Sequence, residues 1–501
     1  MAVQKKRSGN WSVAVVLASR WFWWSMLGLF VLQAVYIACV GRFSMAFDEH
    51  FHLAAIQQYA TVLFPWQVTQ PPGPAELSAF TADGSYLYHY LLSFPYRLMQ
   101  VFTSSVTTQI VLLRLLDVGI VVVGWGVFRR LLGELGMSRA ATHSIVALCM
   151  LMPMAPFMAG QLTYDALFFT LCGVSLLAMV RLLKTIYEQQ KLPLGLSAWT
   201  ATAVLVTLQT KYAFFPAALG AAAYTAGLIA WLLYKKRLDV RRVWQSWCRS
   251  STTAGGLLAV GFLLLASALF VQRYGVNYVK YGSLVPECQV VLGHERCLGF
   301  APYGRDAEIR KNGWHQTITP QQKRGYTKVW YDKMIYESYF TIGPKQIDYP
   351  IGEPLTLPYT AGKLLAACSV LAIVVGGLWA CRRSVFWQFS LTVLATYVVF
   401  LYARNYQAFL ATAVPLSIHG RYVLPFLPLA GYVVYESVRP VLRVAQLRSV
   451  ASVVVVCVLA AHLWGGGVAA YIVRSQDTWY WQSAQPTSRI VRNLVRSFVL
   501  Q

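Results

Sequence analysis

Charged side chains are scarce in this chain of 501 residues. Asp, Glu, Lys and Arg together make up only 12% of it, whereas a soluble domain carries roughly twice that share. The shortage excludes a string of soluble domains. Apolar residues make up 57% of the chain and the mean hydropathy is +0.49, so most of the chain is expected to lie in lipid, where backbone polar groups must pair within helices.

Acidic residues are the scarcest of the charged types. There are 19 Asp and Glu against 43 Lys and Arg, which leaves a formal net charge of +24. In a membrane protein such an excess usually lies in cytoplasmic loops and at lipid headgroups, so we expect membrane lipids and no nucleic acid as partners. Internal repeats and low-complexity segments are also missing, which disfavours the many transporter folds that are built from repeats.

Apolar stretches of about 20 residues, the length that crosses a hydrocarbon core, recur along the chain. They predict an all-α polytopic membrane protein with about 11 transmembrane helices and two larger loops on the outer face. The segment 86–102 is apolar but contains His89, Pro95 and Arg97, and we interpret it as an interfacial helix. The predicted spans are 20–41, 109–131, 139–160, 165–183, 195–210, 212–234, 252–274, 359–380, 385–404, 421–437 and 449–473.

The distribution of basic residues predicts the orientation. With Lys5, Lys6 and Arg7 inside, the basic loops that follow the even-numbered spans, beginning with Arg129 and Arg130, also fall inside. We expect a bacterial inner-membrane protein whose N-terminus is cytoplasmic and whose site and C-terminus are periplasmic. The predicted parts are a cytoplasmic N-terminus (1–19), a transmembrane core (20–274) with a first outer loop (42–108), a large outer loop (275–358), C-terminal transmembrane helices (359–474) and an amphipathic outer-face tail (475–501).

Two of the nine cysteines, Cys288 and Cys297, fall in the large predicted outer loop. In an oxidising compartment a disulfide between them is the natural interpretation. A zinc site is the alternative, because His294 lies between the two cysteines, but a fourth ligand is not evident. We therefore predict the disulfide.

An acidic motif follows the first predicted span. Asp48 and Glu49 precede His50 and His52, and such groups are costly next to hydrocarbon unless they have a function. Capping of the next helix by Asp48 is the alternative. Asp165 opens the fourth span at the same predicted depth, where it too could act as a cap. Carboxylates that converge at one depth are what general-base catalysis or a metal site requires, and the candidate metal ligands are Asp48, Glu49, His52 and Asp165.

Cations gather at the same predicted face, where the positive-inside rule expects few. They are Lys211 between two spans, Arg404 at the end of the ninth span, and Arg421 next to Tyr422. Such side chains can simply extend to lipid headgroups. The alternative is a cationic pocket for a phosphate, with Arg as a bidentate partner and Lys as a point charge. Acids beside phosphate-binding cations suggest a lipid-phosphate substrate.

An ordered series of motifs strengthens that hypothesis. It comprises Asp48-Glu49 with His52 and Tyr59, then Tyr88, His89 and Pro95, then Arg114, Phe128-Arg129-Arg130, Tyr164-Asp165, Thr210-Lys211, and Gly420-Arg421-Tyr422 with Pro425 and Pro428. In this order the chain resembles the GT-C glycosyltransferases, in particular the branch with protein O-mannosyltransferases and lipid A aminoarabinose transferases. The resemblance covers roughly residues 20–435. The loop 275–358 and the tail match nothing in that family, so the acceptor stays open.

The resemblance implies a specific reaction. Such enzymes move a sugar from a polyprenyl-phosphate donor to an acceptor on the outer face of the membrane, and the acceptor is a glycan, a lipid or a protein. Asp48 would be the general base, and Glu49 and Asp165 would position it or bind the acceptor or a metal. Some members need a divalent metal, here Mg or Mn. The substrate-binding residues would be Lys211, Arg404 and Arg421 at the phosphate, together with His52, Tyr59, Tyr88, His89 and Tyr422.

A transporter or flippase of a lipid-linked or anionic substrate is the competing class. It predicts polar residues at mid-membrane depth along a pathway and broken spans. Here the ionisable residues collect at one predicted face, with isolated exceptions such as Asp117. A scaffold subunit would not need the acidic motif. The distribution therefore favours an outer-face enzyme.

Overall fold

A computed structural model describes residues 13–46, 48–251, 253–313, 317–342 and 356–499. Most of the predicted cytoplasmic N-terminus, with Lys5, Lys6 and Arg7, lies outside the described residues, as do parts of the predicted loop 275–358. The described residues contain helices and no strand, and an isolated bridge joins Gly41 to Tyr480. The all-α class predicted from the composition is therefore confirmed.

The first half of the chain forms twelve α-helices. They are α1 (Val13–Ala18), α2 (Arg20–Val40), α3 (Glu49–Ala60), α4 (Leu87–Phe102), α5 (Val106–Glu134), α6 (Arg139–Leu151), α7 (Met154–Ala159), α8 (Tyr164–Gln189), α9 (Leu194–Thr210), α10 (Phe215–Tyr234), α11 (Val240–Ser251) and α12 (Ala254–Phe270).

The described part of the second half adds eleven more. They are α13 (Val276–Tyr281), α14 (Cys288–Leu292), α15 (His294–Cys297), α16 (Ala301–Lys311), α17 (Pro320–Phe340), α18 (Thr356–Cys381), α19 (Val385–Thr412), α20 (Leu427–Val438), α21 (Ala445–Gly465), α22 (Gly467–Arg474) and α23 (Gln485–Val499). A π-turn, Val271–Gly275, joins α12 to α13, and Gly420–Tyr422 is a 3₁₀ turn.

Eight helical segments in the described chain are long and apolar enough to cross a membrane, so the polytopic character is supported. The predicted count of 11 stays a prediction, because the other three predicted spans form shorter helices. The stretch 139–160 is broken at Pro153 into α6 and α7, and α9 has 17 residues. The stretch 421–437 starts as 3₁₀ turns around Pro425 and becomes α20. The eight segments are Arg20–Val40, Val106–Glu134, Tyr164–Gln189, Tyr212–Tyr234, Ala254–Tyr281, Thr356–Gly377, Val385–Thr412 and Ala445–Arg474.

Close packing of α5 on α8 sets the frame for the site. A Cβ atom added at Gly124 of α5 would lie 2.5 Å from the hydroxyl of Thr170, and one at Gly173 of α8 would lie 3.1 Å from Phe128. Small residues at such positions let two helices in a membrane approach each other. Since α5 carries Arg114 and α8 begins at Tyr164, this contact fixes the spacing of their polar ends.

Segment 86–102 forms the 16-residue helix α4, which packs on α3 and is not among the long apolar segments. Tyr88, Leu92 and Tyr96 are buried against the protein, while Leu98 and Phe102 are exposed. An exposed apolar face on a short helix is typical of a helix at a membrane surface. Its predicted interfacial location remains a prediction.

The two predicted loops meet at one end of the bundle, which we call the loop end. The amide of Ala75 donates to the carbonyl of Arg296 at 2.8 Å, and the Arg296 guanidinium donates to the carbonyl of Pro71 at 3.0 Å. Cys288 and Cys297 form a disulfide that packs on Ala75. The disulfide thus braces the contact between the loops.

The tail helix α23 turns its basic face to the protein. Arg489 and Arg492 bind the Asp477 carboxylate at 2.6 and 2.7 Å, and Arg496 donates to the carbonyl of Val473. Hydrogen bonds from Arg492 and Arg489 lower the pKa of Asp477. Leu494 stays exposed on the other face, with Ile490 and Phe498. This arrangement suits a helix whose apolar face contacts lipid.

Candidate active site

Glu49, the first residue of α3, forms a fully buried ion pair with Arg114 of α5. The guanidinium is bidentate, with Nε at 2.6 Å from Oε1 and an Nη at 2.7 Å from Oε2. The remaining lone pairs of the carboxylate accept from the amides of Leu162 at 3.0 Å and Met45 at 3.2 Å. A carboxylate has about four acceptor positions, and here all of them are filled.

The same guanidinium reaches the end of α2. It donates to the carbonyl oxygens of Gly41 at 2.6 Å, Arg42 at 3.1 Å and Ala38 at 3.3 Å. The pair therefore joins α2, α3, α5 and the segment before α8. We predicted Glu49 as a catalytic residue or metal ligand, but its filled lone pairs suit a residue that positions the start of α3.

Asp48 immediately precedes this anchor and is partly exposed. Its backbone is left-handed, with φ of 59°, and its side chain makes no capping hydrogen bond to α3. Asp and Asn are the non-glycine residues that best tolerate this conformation, at a cost on the order of 1 kcal/mol or more. Capping, the alternative explanation for Asp48, is thus not its structural role.

Asp165, in the first turn of α8, lies between two cations. It accepts a hydrogen bond from the ammonium group of Lys211, and an Nη of Arg421 is 3.4 Å from its second oxygen. Asp165 is 2% exposed, Lys211 5% and Arg421 6%. Thr163, not Asp165, caps α8 through its hydroxyl. The capping alternative for Asp165 is therefore not observed either.

Aromatic rings surround these two cations. The Lys211 nitrogen lies 4.7 Å from the ring centre of Tyr164, 4.6 Å from that of Tyr422 and 5.4 Å from that of Phe168. Arg421 lies over Tyr422 at 5.3 Å. Two cations with one carboxylate leave a buried excess of positive charge, which cation–π contacts stabilise in part. A buried cation in excess favours an anionic ligand.

Two histidines stack beside this group. His52 Nδ1 and His89 Nε2 are 2.8 Å apart, and both rings are buried. Burial, with a contribution from His52, lowers the pKa of His89 well below its usual value. The His52 ring meets Tyr164 edge-on at 4.8 Å. Phe51 contacts both His89 and Phe300 of the second loop, which covers this side of the site.

Tyr88 and Asp117 form a second buried polar pair. The Tyr88 hydroxyl donates to Asp117 Oδ2 at 2.6 Å, and the same oxygen accepts from the Thr163 amide at 3.3 Å. Asp117 Oδ1 is buried and has no hydrogen-bond partner among the described residues. Since the Thr163 hydroxyl also contacts Asp165 at 3.4 Å, Thr163 bridges the two carboxylates.

Two predicted substrate-binding residues lie apart from this group. Tyr59 is buried among Phe80, Tyr86 and Tyr90, and its hydroxyl accepts from Arg273 at 3.3 Å. Arg404 is exposed on α19 and interacts electrostatically with Tyr212. The structure brings the other six, namely His52, Tyr88, His89, Lys211, Arg421 and Tyr422, together with the carboxylates Glu49 and Asp165.

Sequence reasoning missed the aromatic wall formed by Tyr164 and Phe168, the cover provided by Phe300, and the part that Asp117 plays. A signal for Asp117 existed, because Arg114 and Asp117 lie one turn apart within an apolar stretch of α5. Such residues in a span need partners. Phe300 had no local signal, since its position depends on how the second loop packs.

Two of the four predicted metal ligands, Glu49 and Asp165, are already paired in this arrangement, and the metal itself stays a prediction. Glu49 has no acceptor position left, and Asp165 is paired with Lys211 and Arg421. Among the described residues no three His, Cys, Asp or Glu side chains are arranged to hold a metal. His294 donates to or accepts from Tyr303 at 2.8 Å instead of joining Cys288 and Cys297.

Comparison with known proteins returns no match to a protein-family model, to a curated protein or to a solved structure. The function must therefore be argued from the site itself.

Proposed function

We propose that the protein is a membrane glycosyltransferase that moves a sugar from a polyprenyl-phosphate donor to an acceptor hydroxyl at the loop end of the bundle. The observation that carries the proposal is the buried group of Lys211 and Arg421 around Asp165, with its excess of positive charge. The GT-C resemblance of the sequence supports the same reaction.

The charge of the group suits a phosphate leaving group. When the bond between the sugar and the phosphate breaks, negative charge grows on the leaving oxygen, and fixed cations in a dry site stabilise that charge. Lys211 supplies a point charge and Arg421 a planar donor pair. Asp165 holds both cations in place before the donor arrives.

The surroundings suit the lipid part of the donor. Tyr212 follows Lys211 in the turn before α10, and Phe215 and Leu219 lie in the first turns of that helix; the three side chains are 48%, 46% and 49% exposed. An apolar exposed surface in a membrane span faces lipid. A polyprenyl chain lying there would bring its phosphate toward Lys211.

Asp48 is the proposed general base. Its carboxylate takes the proton from the acceptor hydroxyl, the acceptor oxygen forms a bond to the anomeric carbon, and the bond from that carbon to the phosphate oxygen breaks. The electron pair leaves with the phosphate, near Lys211 and Arg421. His52 of α3 and His89 of α4, whose rings both meet Tyr164 edge-on, are proposed to contact the substrates.

The proposed setting is the bacterial inner membrane, with the N-terminus in the cytoplasm and the loop end and C-terminus in the periplasm. The basic residues at the opposite end of the bundle, such as Arg129, Arg130 and Arg139, support this orientation. The acceptor is a cell-envelope glycan, a lipid or a protein.

A transfer assay tests the proposal. Purified protein in nanodiscs is supplied with a panel of polyprenyl-phosphate sugars, with water or a lipid extract as acceptor, and release of polyprenyl phosphate is measured. We expect turnover with one donor class. Binding of a lipid-linked sugar without turnover across the panel would contradict the proposal.

Arg421→Ala is predicted to weaken binding of the lipid-phosphate donor by about 10-fold or more, since a charge-assisted contact to phosphate is lost. Binding of a fluorescent polyprenyl phosphate measures it. Lys328→Ala, which removes an exposed cation from α17, is the control and should bind as wild type. Equal donor affinity in the Arg421 variant would remove the phosphate role.

A transporter or flippase of a lipid-linked substrate is the second candidate. Asp117 favours it, because this buried carboxyl inside a long apolar helix has an oxygen without a partner among the described residues. Such groups mark substrate or proton pathways in membranes. Transport of a lipid-linked sugar in vesicles without release of polyprenyl phosphate would favour this candidate over the enzyme.

A further inference from the structure

A cavity of about 500 Å³ lies at the end of the bundle opposite the candidate active site. It opens between the last turns of α5 and the first turns of α6. Its wall carries the charged residues Arg129, Arg130, Glu134 and Arg139. None of them has a part in the proposed transfer reaction.

The charge of this wall is positive. Glu134 is already paired with cations on α8, since Arg181 donates to it at 3.1 and 3.2 Å and Lys184 lies 3.9 Å away. Among the residues that the structure describes, no carboxylate lies within ion-pair distance of the three cavity arginines. Arg130 and Arg139 are thus available to an anion, and Arg129, whose Nε donates to the lining residue His143 at 3.2 Å, retains its two Nη groups.

A buried hydroxyl adds a second, independent indication of a ligand. Thr142 lines the cavity and is only 4% exposed. Its Oγ1 has no hydrogen-bond partner within the described part of the chain. An unpaired buried hydroxyl costs free energy, so it is expected to pair with something that enters the cavity. Arginine side chains that merely extend to lipid headgroups would not require an unpaired buried hydroxyl beside them.

Two glycines keep the space open. Gly126 and Gly133 lie on the lining face of α5, and a Cβ atom added at either position would meet nothing within 4 Å. The first turn of α6 borders the same space, and the positive end of a helix favours anions, although the Ala141 amide of this turn already donates to the Ser138 side chain. A larger side chain at either glycine would occupy the room that a ligand needs.

Aromatic residues place this space near the membrane surface. Arg129 lies over the ring of Trp23 at 4.9 Å, and the neighbouring Trp21 and Trp24 are 72% and 60% exposed. Exposed Trp side chains at a helix end are typical of the level of the lipid headgroups. An anion at this depth is either a headgroup or a soluble ion from the adjoining solution.

We infer that this cavity binds a phosphate group, held by Arg129, Arg130 and Arg139 with the Thr142 hydroxyl as a further donor. The phosphate is carried by an anionic phospholipid or is free in solution, and the two sources share the chemistry that the wall recognises. The inference is independent of the proposed transfer reaction, because the cavity shares no residue with the candidate active site.

Binding to the purified full chain in detergent tests the inference. Phosphatidylglycerol, phosphatidylcholine and inorganic phosphate are titrated separately, with thermophoresis as the readout. We expect phosphatidylglycerol or inorganic phosphate to bind at least about 10-fold more tightly than phosphatidylcholine. If phosphatidylglycerol binds and inorganic phosphate does not displace it, the site is assigned to a lipid. If inorganic phosphate binds and the lipids do not, the site is assigned to the free ion. Equal affinity for all three ligands would overturn the inference.

Gly133→Leu is the decisive variant, because its side chain occupies part of the cavity and changes no charge. We expect it to weaken binding at least about 10-fold, whereas Gly119→Leu, at an open and exposed position on the same helix, should bind as wild type. Binding by Gly133→Leu that equals wild type would overturn the inference.

A second pair of variants, which changes charge instead of volume, complements this test. It does not depend on whether the Gly133 variant folds. The Arg130→Gln/Arg139→Gln double variant alters two exposed side chains and should lose affinity, while Lys235→Gln removes a cation from the same end outside the cavity and should not. An equal loss of affinity in the double variant and in the Lys235 variant would show general attraction of anions to a basic surface and would overturn the proposed site.

Discussion

Asp48→Asn is expected to slow sugar transfer by about 10²- to 10⁴-fold, the usual contribution of a general base. The amide has the shape of the carboxylate but cannot take a proton from the acceptor hydroxyl. Asn also tolerates the left-handed backbone at this position, and the Asp48 side chain makes no capping bond that the variant would lose. The fold should therefore survive the change.

The kinetic pattern separates this role from substrate binding. Polyprenyl-phosphate release is measured at varied donor concentration, and we expect kcat to fall while donor affinity stays unchanged, since Lys211 and Arg421 are untouched. Glu76→Gln, which neutralises an exposed acid in the same loop, is the matched control and should keep full activity. A fully active Asp48→Asn enzyme would remove the general-base assignment.

The sequence was sufficient to predict the charged residues that lie together in the site. Successive spans end on alternate sides of the bundle, so the positions of the spans along the chain predict which helix ends share a side. Asp165, Lys211 and Arg421 each lie at such a helix end, and this pattern places all three at one level. Acids are scarce in this chain and cations are not expected at that level, so these three residues were recognisable in the sequence. Their contact distances, by contrast, depend on the packing of α5 on α8.

Helix geometry explains why two predicted residues lie elsewhere. Tyr59 is seven residues after His52 and on the same face of α3, but it is roughly 10 Å further along the helix axis. It therefore enters a different cluster, with Arg273. We expected the ninth span to end at Arg404, whereas α19 continues to Thr412, and Arg404 lies on its exposed side.

Local sequence could not decide which of the two adjacent carboxylates anchors α3. Asp48 and Glu49 look equivalent as letters, yet successive positions at a helix start point in different directions. Glu49 turns inward because Arg114, 65 residues away in the chain, provides a partner. Only the tertiary structure distinguishes the residue that anchors α3 from the residue that is left half-exposed.

Glu49→Gln should cost about 3–5 kcal/mol of stability, because it leaves the Arg114 charge buried without a counter-ion. Thermal unfolding in one detergent measures the loss. Asp306→Asn breaks an exposed pair with Arg305, whose side chains are 34% and 45% accessible, and should cost only about 0–1 kcal/mol. If the two variants unfold alike, the pair is not the anchor that its geometry indicates.

The double variant Glu49→Gln/Arg114→Gln sharpens the prediction. With both charges removed, no buried ion is left unpaired, so the double variant should be more stable than the sum of the single losses predicts. Activity adds the final distinction. Glu49→Gln should lose transfer and stability together, since α3 is released with Asp48 on it, whereas Asp48→Asn should lose transfer alone. A Glu49 variant that is stable but inactive would instead make Glu49 a catalytic residue.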